Sequence, residues 1–555
     1  MFIHALRRCE NMIITRNRRA FREGGLYVGT GLFFLSIALN IPFLLYGINM
    51  LDEGLLVYGT ERVMEGSILY KDIFTLYAPG HYYILGGFMK ILGLNLFSER
   101  LYSCIIGGAL AFLVFYISKR IIKNITFSIA ASLIFIFLVQ LQNHRMFFAL
   151  LALLCLIEYD YNHPKLNSIW WPLIIGLLTG MSIIMSQEVG IYLVLALCSF
   201  LPWKLFVGKK RNMKQIVNLK SVAHQAILFL FGLVIIVIPV VFYFYKYGAL
   251  HEMFYCLFWY PIHAFPETMS LPFPNLFSSL LLTLSSPSLR SFYSLASCIL
   301  FYLPMVIYTI TAIFLVSRLY SNQDHSKRDS YVFLILVFGI LSFKTATVRS
   351  DISHLMFCII PAVILGCFLL DKLYVRLSNN LTPFVGSKSK KLVAFKCSVV
   401  IIFLILIFYG QIGHLLLIIK NSNYEKLGLD RAQNILVPKN EKEDIVNVVK
   451  YIKNNTDSSD KIFVIPYQAM FYFLSDRDTP TKYDIFLPGY ANQRGDQIQL
   501  VQQLERAKPK FTIYGHGWDV DGKPFETYAP IIHNYIKQQW YIEKKYGIYE
   551  IYSHK

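Results

Sequence analysis

The chain has 555 residues, of which 55% are hydrophobic, 16% aromatic and only 16% charged. A composition this apolar excludes a soluble globular protein for most of the chain and predicts an integral membrane protein. The net charge of +19 does not indicate nucleic-acid binding, because the lysines and arginines are dispersed over short loops and form no aromatic-laced groove.

Apolar runs of roughly 20 residues, the helix length that crosses about 30 Å of hydrocarbon, recur along the first three quarters of the chain. They predict a polytopic α-helical membrane protein with about eleven spans, near residues 26–46, 100–118, 125–142, 146–159, 169–186, 188–203, 224–246, 293–317, 331–347, 355–374 and 397–419. Residues 1–25 form a basic arm, and residues 26–420 form the predicted transmembrane module. The arm is not expected to be a cleavable signal peptide, because no small-residue cleavage site follows the first full-length span.

The basic residues predict the orientation, because loops rich in lysine and arginine are retained in the cytoplasm. The basic arm therefore predicts a cytoplasmic N-terminus in a multi-pass protein of the plasma or inner membrane. Alternating sides from there places four basic segments inside, namely "SKRIIK", "KLFVGKKRNMK", "SRLYSNQDHSKR" and "RLSNNLTPFVGSKSKK". With eleven spans, residues 421–555 are predicted to be extracytoplasmic.

The first predicted outer loop, residues 47–98, is too long for a simple connector. It contains the stretch "INMLDEGLLVYGTERVMEG", in which an acid pair, Asp52 and Glu53, follows the first span by a few residues. A helical wheel places Glu61 and Arg62 on one side and apolar residues opposite, which predicts an amphipathic helix at the membrane interface. Asp52 could be no more than the N-cap of that helix, since Asp is a common cap.

Polar clusters occur in four places on the predicted outer face: "YKDIFTLYAPGHYY" in the first loop, "QNHR" at 142–145, "SQE" at 186–188 and "KTATVRSDISH" at 344–354. Ionisable groups at the membrane edge favour a functional site. The candidate binding residues in these clusters are Lys71, Tyr77, His81, His144, Arg145, Gln187, Glu188, Arg349, Asp351 and His354.

Each cluster also has a structural interpretation. Arg349 and Asp351 could pair in an ordinary turn, and Glu188 could only mark the water boundary. The pair of His144 and Arg145 could reach to lipid headgroups. The first-loop cluster could shape the loop without contacting substrate.

Residues 421–555 differ in kind, because predicted strands alternate with predicted helices there. The helices are predicted in "NEKEDIVNVVKYIKNN", "AMFYFLSDR", "RGDQIQLVQQLERAKP" and "ETYAPIIHNYIKQQW". The strands are predicted in "DKIFVIPY", "KFTIYG" and "YGIYEIY". This pattern is typical of a small α/β domain.

Together these motifs resemble the GT-C class of membrane glycosyltransferases, in the superfamily of protein O-mannosyltransferases and the lipid A aminoarabinose transferase. Bacterial members described as dolichyl-phosphate-mannose-type transferases are the most similar. The resemblance covers essentially the whole chain and rests on "DEG", "GSILYKDIFTLYAPGHYY", "SQEVGIYL", "RSDISH" and "FYFLSDRDTPTKYDIFLPGY". The chain departs from the family at Asn143, His144 and Arg145, where related enzymes often carry an acid, and at Ser186 and Gln187, where they often carry a lysine.

The resemblance implies inverting transfer of a sugar from a polyprenyl-phosphate donor to a hydroxyl of a glycan, lipid or protein acceptor at the outer face. Asp52 is the candidate general base that takes the proton of that hydroxyl. The departing phosphate needs positive charge, and the candidate cations are Arg349, Arg145, Lys71 and His354. Glu53 could orient the acceptor or share a magnesium or manganese ion with Asp52.

Two alternatives remain open at this point: a lipid-linked sugar transporter or flippase, and a non-catalytic membrane subunit of a polysaccharide assembly complex. A transporter needs a polar cavity near the membrane midplane. The predicted spans are polar mainly at their outer ends, which favours an enzyme supplied laterally with lipid. A structural subunit would tolerate neutralisation of Asp52.

Overall fold

The computed structural model describes residues 24–138, 144–162, 170–210, 219–321, 326–379, 423–491, 493–517 and 519–555. Residues 24–379 are almost entirely helical. The helices are α1 Gly24–Leu44, α2 Asp52–Met64, α3 Pro79–Leu92, α4 Leu96–Ile121, α5 Ile125–Leu138, α6 Phe147–Asn162, α7 Trp170–Met185, α8 Gln187–Lys210, α9 Leu219–Lys246, α10 Leu250–Phe254, α11 Tyr260–Thr268, α12 Leu276–Ser285, α13 Leu289–Tyr320, α14 Lys327–Val348, α15 Ile352–Cys358 and α16 Ile360–Asn379.

Long apolar helices make this a multi-pass membrane protein. Six helices of the described part are long and apolar enough to cross a membrane, and they lie in α1, α4, α8, α9, α13 and α14. The pair α15 and α16, bent by 64°, makes a seventh if it is one broken span. The helices α5, α6 and α7 occupy three further predicted spans but are only 14, 16 and 16 residues long. The eleventh predicted span, 397–419, lies outside the described residues, so six or seven of the eleven predicted spans are supported.

The ion pairs of α4 lie at its two ends. Arg120 near its C-terminal end pairs with Glu158 of α6. Near its N-terminal end, Arg100 pairs with Glu53 of α2 at 2.6 Å. This distribution is expected for a helix whose middle lies in hydrocarbon, where an unpaired charge is costly.

Residues 423–555, called the tail below, form two sheets with helices around them. The strands are β1 Tyr424–Lys426, β2 Leu436–Pro438, β3 Ile462–Ile465, β4 Phe511–Gly515, β5 Trp540–Tyr546 and β6 Tyr549–His554. β1 and β2 are antiparallel, and the larger sheet has the order β3-β4-β6-β5 with only β3 and β4 parallel. The helices are α17 Lys439–Asn455, α18 Met470–Ser475, α19 Arg494–Ala507, α20 Phe525–Tyr528 and α21 Pro530–Gln539.

The tail elements differ from the prediction in two ways. The structure adds β5 and the β1–β2 hairpin, which the sequence pattern missed because most side chains of β5 are exposed and carry no apolar alternation. The predicted helix over "ETYAPIIHNYIKQQW" is two helices, because Pro530, which has no N–H, begins α21. The structure has helices and strands at the other predicted positions of the tail.

The helix α2 packs against the tail. Tyr58 stacks on Tyr472 of α18, with ring centroids 4.8 Å apart. Arg62 pairs with the buried Asp484 of the tail. The prediction of a helix here is therefore right. The charged side that was expected to face headgroups is neutralised by tail residues. α2 and the tail share one apolar core.

The backbones of α2 and the tail approach each other closely at Gly54. A Cβ on Gly54 would lie 2.4 Å from the nitrogen and 2.8 Å from the Cα of Met470. We expect Gly54→Ala to force α18 away and to lower the free energy of unfolding by about 1–3 kcal/mol, as overpacking does. Thermal unfolding in detergent and limited proteolysis of the tail measure this loss.

A matched control is Gly87→Ala in α3, where a Cβ meets no atom within 4 Å. Alanine is the better helix former, so the control is expected to be neutral or stabilising by up to about 1 kcal/mol. If Gly54→Ala were as stable as the control, the close backbone contact between α2 and the tail would be wrong.

Candidate active site

Asp52 is the first residue of α2, and its side chain is accessible although protein surrounds it. The side-chain oxygen of Asn49 accepts the N–H groups of Leu51 and Asp52 at 3.0 and 3.1 Å. Asn49 therefore satisfies the start of the helix, and Asp52 is not needed as an N-cap. Burial raises the pKa of Asp52, and hydrogen bonds from Asn49 and Tyr467 act in the opposite direction.

Glu53, the other member of the acid pair, is buried and faces α4. Its two carboxylate oxygens accept from Nε and Nη2 of Arg100 at 2.6 and 2.9 Å, and one also accepts the backbone N–H of Asn49 at 3.1 Å. Arg100 donates further to the carbonyl oxygens of Leu44 and Gly47. Glu53 thus ties the start of α2 to the ends of α1 and α4.

This pairing bears on the predicted metal ion. Because the oxygens of Glu53 are taken by Arg100 and Asn49, the acid pair does not offer two free carboxylates to one magnesium or manganese ion. Across the residues that the structure describes, no group of three or more His, Cys, Asp and Glu side chains could hold a metal ion.

Arg145 lies between two aromatic rings. Its guanidinium carbon is 5.0 Å from the ring centre of Tyr77 and 4.7 Å from that of Phe357 in α15. Such contacts hold a guanidinium without neutralising it. Within the described ranges, no carboxylate pairs with Arg145, so its positive charge remains available to a ligand.

Tyr77 connects this cation with Asp52. Burial raises the pKa of the Tyr77 hydroxyl, the nearby charge of Arg145 lowers it, and the charge of Asp52 raises it further. The charges of the Arg145 guanidinium and of the Asp52 carboxylate therefore both act on the hydroxyl of Tyr77.

His81 and His144 form a buried pair, with ring centroids 4.0 Å apart. Burial and the charge of Arg145 lower the pKa of His81 to about 3. Burial, His81 and Arg145 likewise hold the pKa of His144 well below its ordinary value. Both rings are therefore neutral at pH 7 and add no positive charge to the site, although they pack beside Arg145.

Arg349 follows α14, and its guanidinium donates four hydrogen bonds. Nε donates to Asp351 at 2.8 Å, Nη1 donates to the carbonyl of Met269 at 2.6 Å, and Nη1 and Nη2 bind Asp521 of the tail at 2.7 and 2.9 Å. Asp351 also accepts the backbone N–H and the ring nitrogen of His354 at 2.9 and 2.8 Å, so it caps α15. Arg349 therefore joins the tail to the helical part.

The same contacts set the charge of Asp351. Burial alone would raise the pKa of Asp351, but the hydrogen bonds and charge of His354, followed by the charge of Arg349, outweigh burial and lower the pKa. Asp351 is therefore an ionised partner of these two side chains. The structural interpretation of Arg349 and Asp351 as a pair holds, with His354 and Asp521 added to it.

Three predicted site residues lie elsewhere. Lys71 is exposed and donates to the carbonyl of Tyr247 at 3.2 Å. Gln187 is buried and donates to the carbonyl of Leu257 at 3.2 Å, while Glu188 accepts from a threonine hydroxyl of α14 at 3.5 Å. In the part of the chain that the structure describes, none of the three forms a hydrogen bond or ion pair with the side chains of Asp52 or Arg145.

Two tail residues reach the site that the sequence did not predict. The hydroxyl of Tyr467 lies 3.5 Å from Oδ1 of Asp52, and Asp521 binds Arg349. These partners are 415 and 172 residues apart in the chain. No local sequence pattern indicates contacts between residues this far apart in the chain.

The chain matches no protein-family model and no curated protein. Solved structures are similar to it, among them the following two. The crystal structure of ArnT from Cupriavidus metallidurans bound to undecaprenyl phosphate is 12% identical, with a TM-score of 0.48, over 96% of this chain and 98% of that chain. The Archaeoglobus fulgidus oligosaccharyltransferase, in complex with Zn and sulfate, is 11% identical, with a TM-score of 0.48, over 87% of this chain and 68% of that chain.

Proposed function

We propose that this protein is an inverting GT-C glycosyltransferase that moves a hexose or pentose from a polyprenyl-phosphate donor to an acceptor hydroxyl of a glycan, lipid or protein. The observation that carries the proposal is that the Arg145 guanidinium, which has no acidic partner among the described residues, lies 5.0 Å from the ring centre of Tyr77. The charge of the accessible Asp52 carboxylate acts on the same tyrosine. A base for the acceptor and a cation for the leaving phosphate are the two groups that such a transfer needs.

The proposed reaction uses Asp52 as the general base. Asp52 takes the proton of the acceptor hydroxyl while the hydroxyl oxygen attacks the anomeric carbon from the side opposite the phosphate. The bond between the anomeric carbon and the phosphate oxygen breaks, and the polyprenyl phosphate leaves with the bonding electrons. A raised pKa makes the Asp52 carboxylate a stronger proton acceptor than an exposed aspartate.

Arg145 is the preferred phosphate ligand in this proposal. Arginine can bind a phosphate through two parallel hydrogen bonds. Arg349 already binds Asp351 and Asp521, so it can bind phosphate only if Asp521 leaves. His354 is engaged by Asp351 and Lys71 lies elsewhere, which leaves Arg145 as the cation best able to accept the departing charge.

We further propose that the reaction takes place at the outer face of a plasma or inner membrane, with residues 1–25 in the cytoplasm and residues 421–555 outside. The distribution of lysine and arginine over the loops supports this orientation. The position of the Glu53–Arg100 pair at the end of α4 opposite Arg120 supports a site at one membrane face.

The function is tested in two steps. Cells lacking the protein are expected to accumulate a polyprenyl-phosphate sugar and to lose one glycan modification, both measured by mass spectrometry. The purified protein in lipid nanodiscs is then expected to transfer radiolabelled sugar from that lipid to the acceptor fraction of the deletion cells.

The competing functions predict different results in the same assays. A transporter would move the labelled lipid across the bilayer of proteoliposomes and form no new glycosidic bond. A non-catalytic subunit would do neither. Either result with folded protein would show that the proposed transferase activity is wrong.

A further inference from the structure

We infer that Tyr467, a residue of the tail, positions the carboxylate of Asp52, so that the tail completes the candidate active site. This inference rests on the proposed function, because it assigns Tyr467 a role in the same reaction. Tyr467 lies between β3 and α18, and its hydroxyl donates toward Oδ1 of Asp52 across 3.5 Å.

The backbone on both sides of this contact is held in place. The carbonyl of Pro466, directly before Tyr467, accepts the N–H of Phe486 at 2.6 Å. Three residues after Tyr467, the N–H of Met470 donates to the carbonyl of Met50 at 3.3 Å, and Met470 meets Gly54 in direct backbone contact. Because Gly54 is two residues from Asp52, the separation between Asp52 and Tyr467 is set by two backbones in contact and not by flexible side chains alone.

This geometry also explains why the "DEG" stretch has a residue without a side chain at Gly54. Glu53 fixes the start of α2 to α4 through Arg100, and the missing side chain of Gly54 admits the tail backbone. Asp52 is left facing the tail residue Tyr467. Each of three consecutive residues therefore contributes to the placement of one carboxylate.

The charged and titratable groups around the contact come from several elements. The groups that act on Asp52 are Asn49 and Tyr467 by hydrogen bonds and His354 and Asp351 by charge. The groups that act on Tyr467 are Asp52, Tyr77, Arg349 and Asp521. Burial, followed by the charge of Asp52, raises the pKa of the Tyr467 hydroxyl, so at neutral pH this hydroxyl keeps its proton and serves as a hydrogen-bond donor.

The role of Tyr467 predicts a shift in the pH profile. A hydrogen bond to a carboxylate favours the ionised form, so it lowers the pKa of Asp52. Tyr467→Phe removes this donor and keeps the ring. The pKa of Asp52 then rises, and the acidic limb of the transfer rate against pH moves to higher pH.

The experiment measures transfer from a radiolabelled polyprenyl-phosphate sugar by the full-length protein between about pH 4 and pH 8. Tyr467→Phe is expected to lose about 3- to 10-fold in kcat on the acidic limb, with less loss above it and an unchanged KM for the donor. If the acidic limb of Tyr467→Phe stayed at the pH of the parent protein, the positioning role would be overturned. This holds whether the transfer rate is parental or is reduced equally at every pH.

The matched control is Tyr528→Phe, the same change in the same tail. The Tyr528 hydroxyl donates to the carbonyl of Phe486 at 3.1 Å. Tyr528→Phe is therefore expected to keep the acidic limb of the pH profile at the pH of the parent protein. Thermal unfolding of both variants in detergent shows that the tail stays folded. A shift of the limb in the control as large as that in Tyr467→Phe would assign the effect to the tail in general and would contradict the inference.

A second measurement does not depend on activity. In a protein carrying both Asp52→Cys and Tyr467→Cys, a short bifunctional thiol reagent is expected to join the two positions, with the joined peptides identified by mass spectrometry. If the parent transfers no sugar, the proposed function fails while the cross-link still tests the contact. Absence of the cross-link in folded protein would overturn the inference itself.

Discussion

Asp52→Asn is expected to lower the rate of sugar transfer by about 10² to 10⁴, the usual cost of losing a general base. This corresponds to about 3–5 kcal/mol of activation free energy. Asparagine keeps the size and hydrogen-bonding capacity of the side chain but cannot accept the proton. Because Asn49 satisfies the start of α2, the stability of the helix should change by only tenths of a kcal/mol.

The measurement is single-turnover transfer by purified protein, with donor binding measured separately and expected to stay at the parental level. Asp430→Asn is a matched control, since Asp430 is an exposed tail aspartate that pairs with Lys453 at the surface. Transfer by Asp52→Asn at the rate of this control would remove Asp52 as the base.

Glu53→Gln is expected to lower the free energy of unfolding by about 3–5 kcal/mol, because it removes the carboxylate that pairs with the buried guanidinium of Arg100. Any loss of transfer should follow this loss of stability. Thermal unfolding in detergent measures the change, and transfer is assayed at a temperature where the variant remains folded.

The control for this variant is Glu425→Gln, which breaks a surface pair with Lys442 of the tail and should cost between 0 and about 1 kcal/mol. A Glu53→Gln protein that is as stable as the control but transfers no sugar would reverse the roles of the two acids. In that case Glu53 would be the base, and its pairing with Arg100 would have to open during turnover.

Sequence alone determined the features of this protein that depend on short stretches of chain. A run of apolar residues must be a helix in hydrocarbon, since every backbone group has to be hydrogen-bonded within the segment, and helices lie at all ten predicted spans within the described ranges. The sequence patterns of the tail likewise predicted the positions of β3, β4 and α19. Sequence alone did not determine how many of these helices cross the membrane, because α5, α6 and α7 are shorter than a full span.

Only the tertiary structure decided what each candidate side chain can do. Asp52 and Glu53 are neighbours in sequence, yet packing leaves Asp52 accessible and buries Glu53 against Arg100. Arg145 and Arg349 are the same residue type, but Asp521 engages only the second. The charge state of a side chain and its free hydrogen-bonding groups depend on burial and on residues that lie far away in the chain. No local sequence pattern encodes either property.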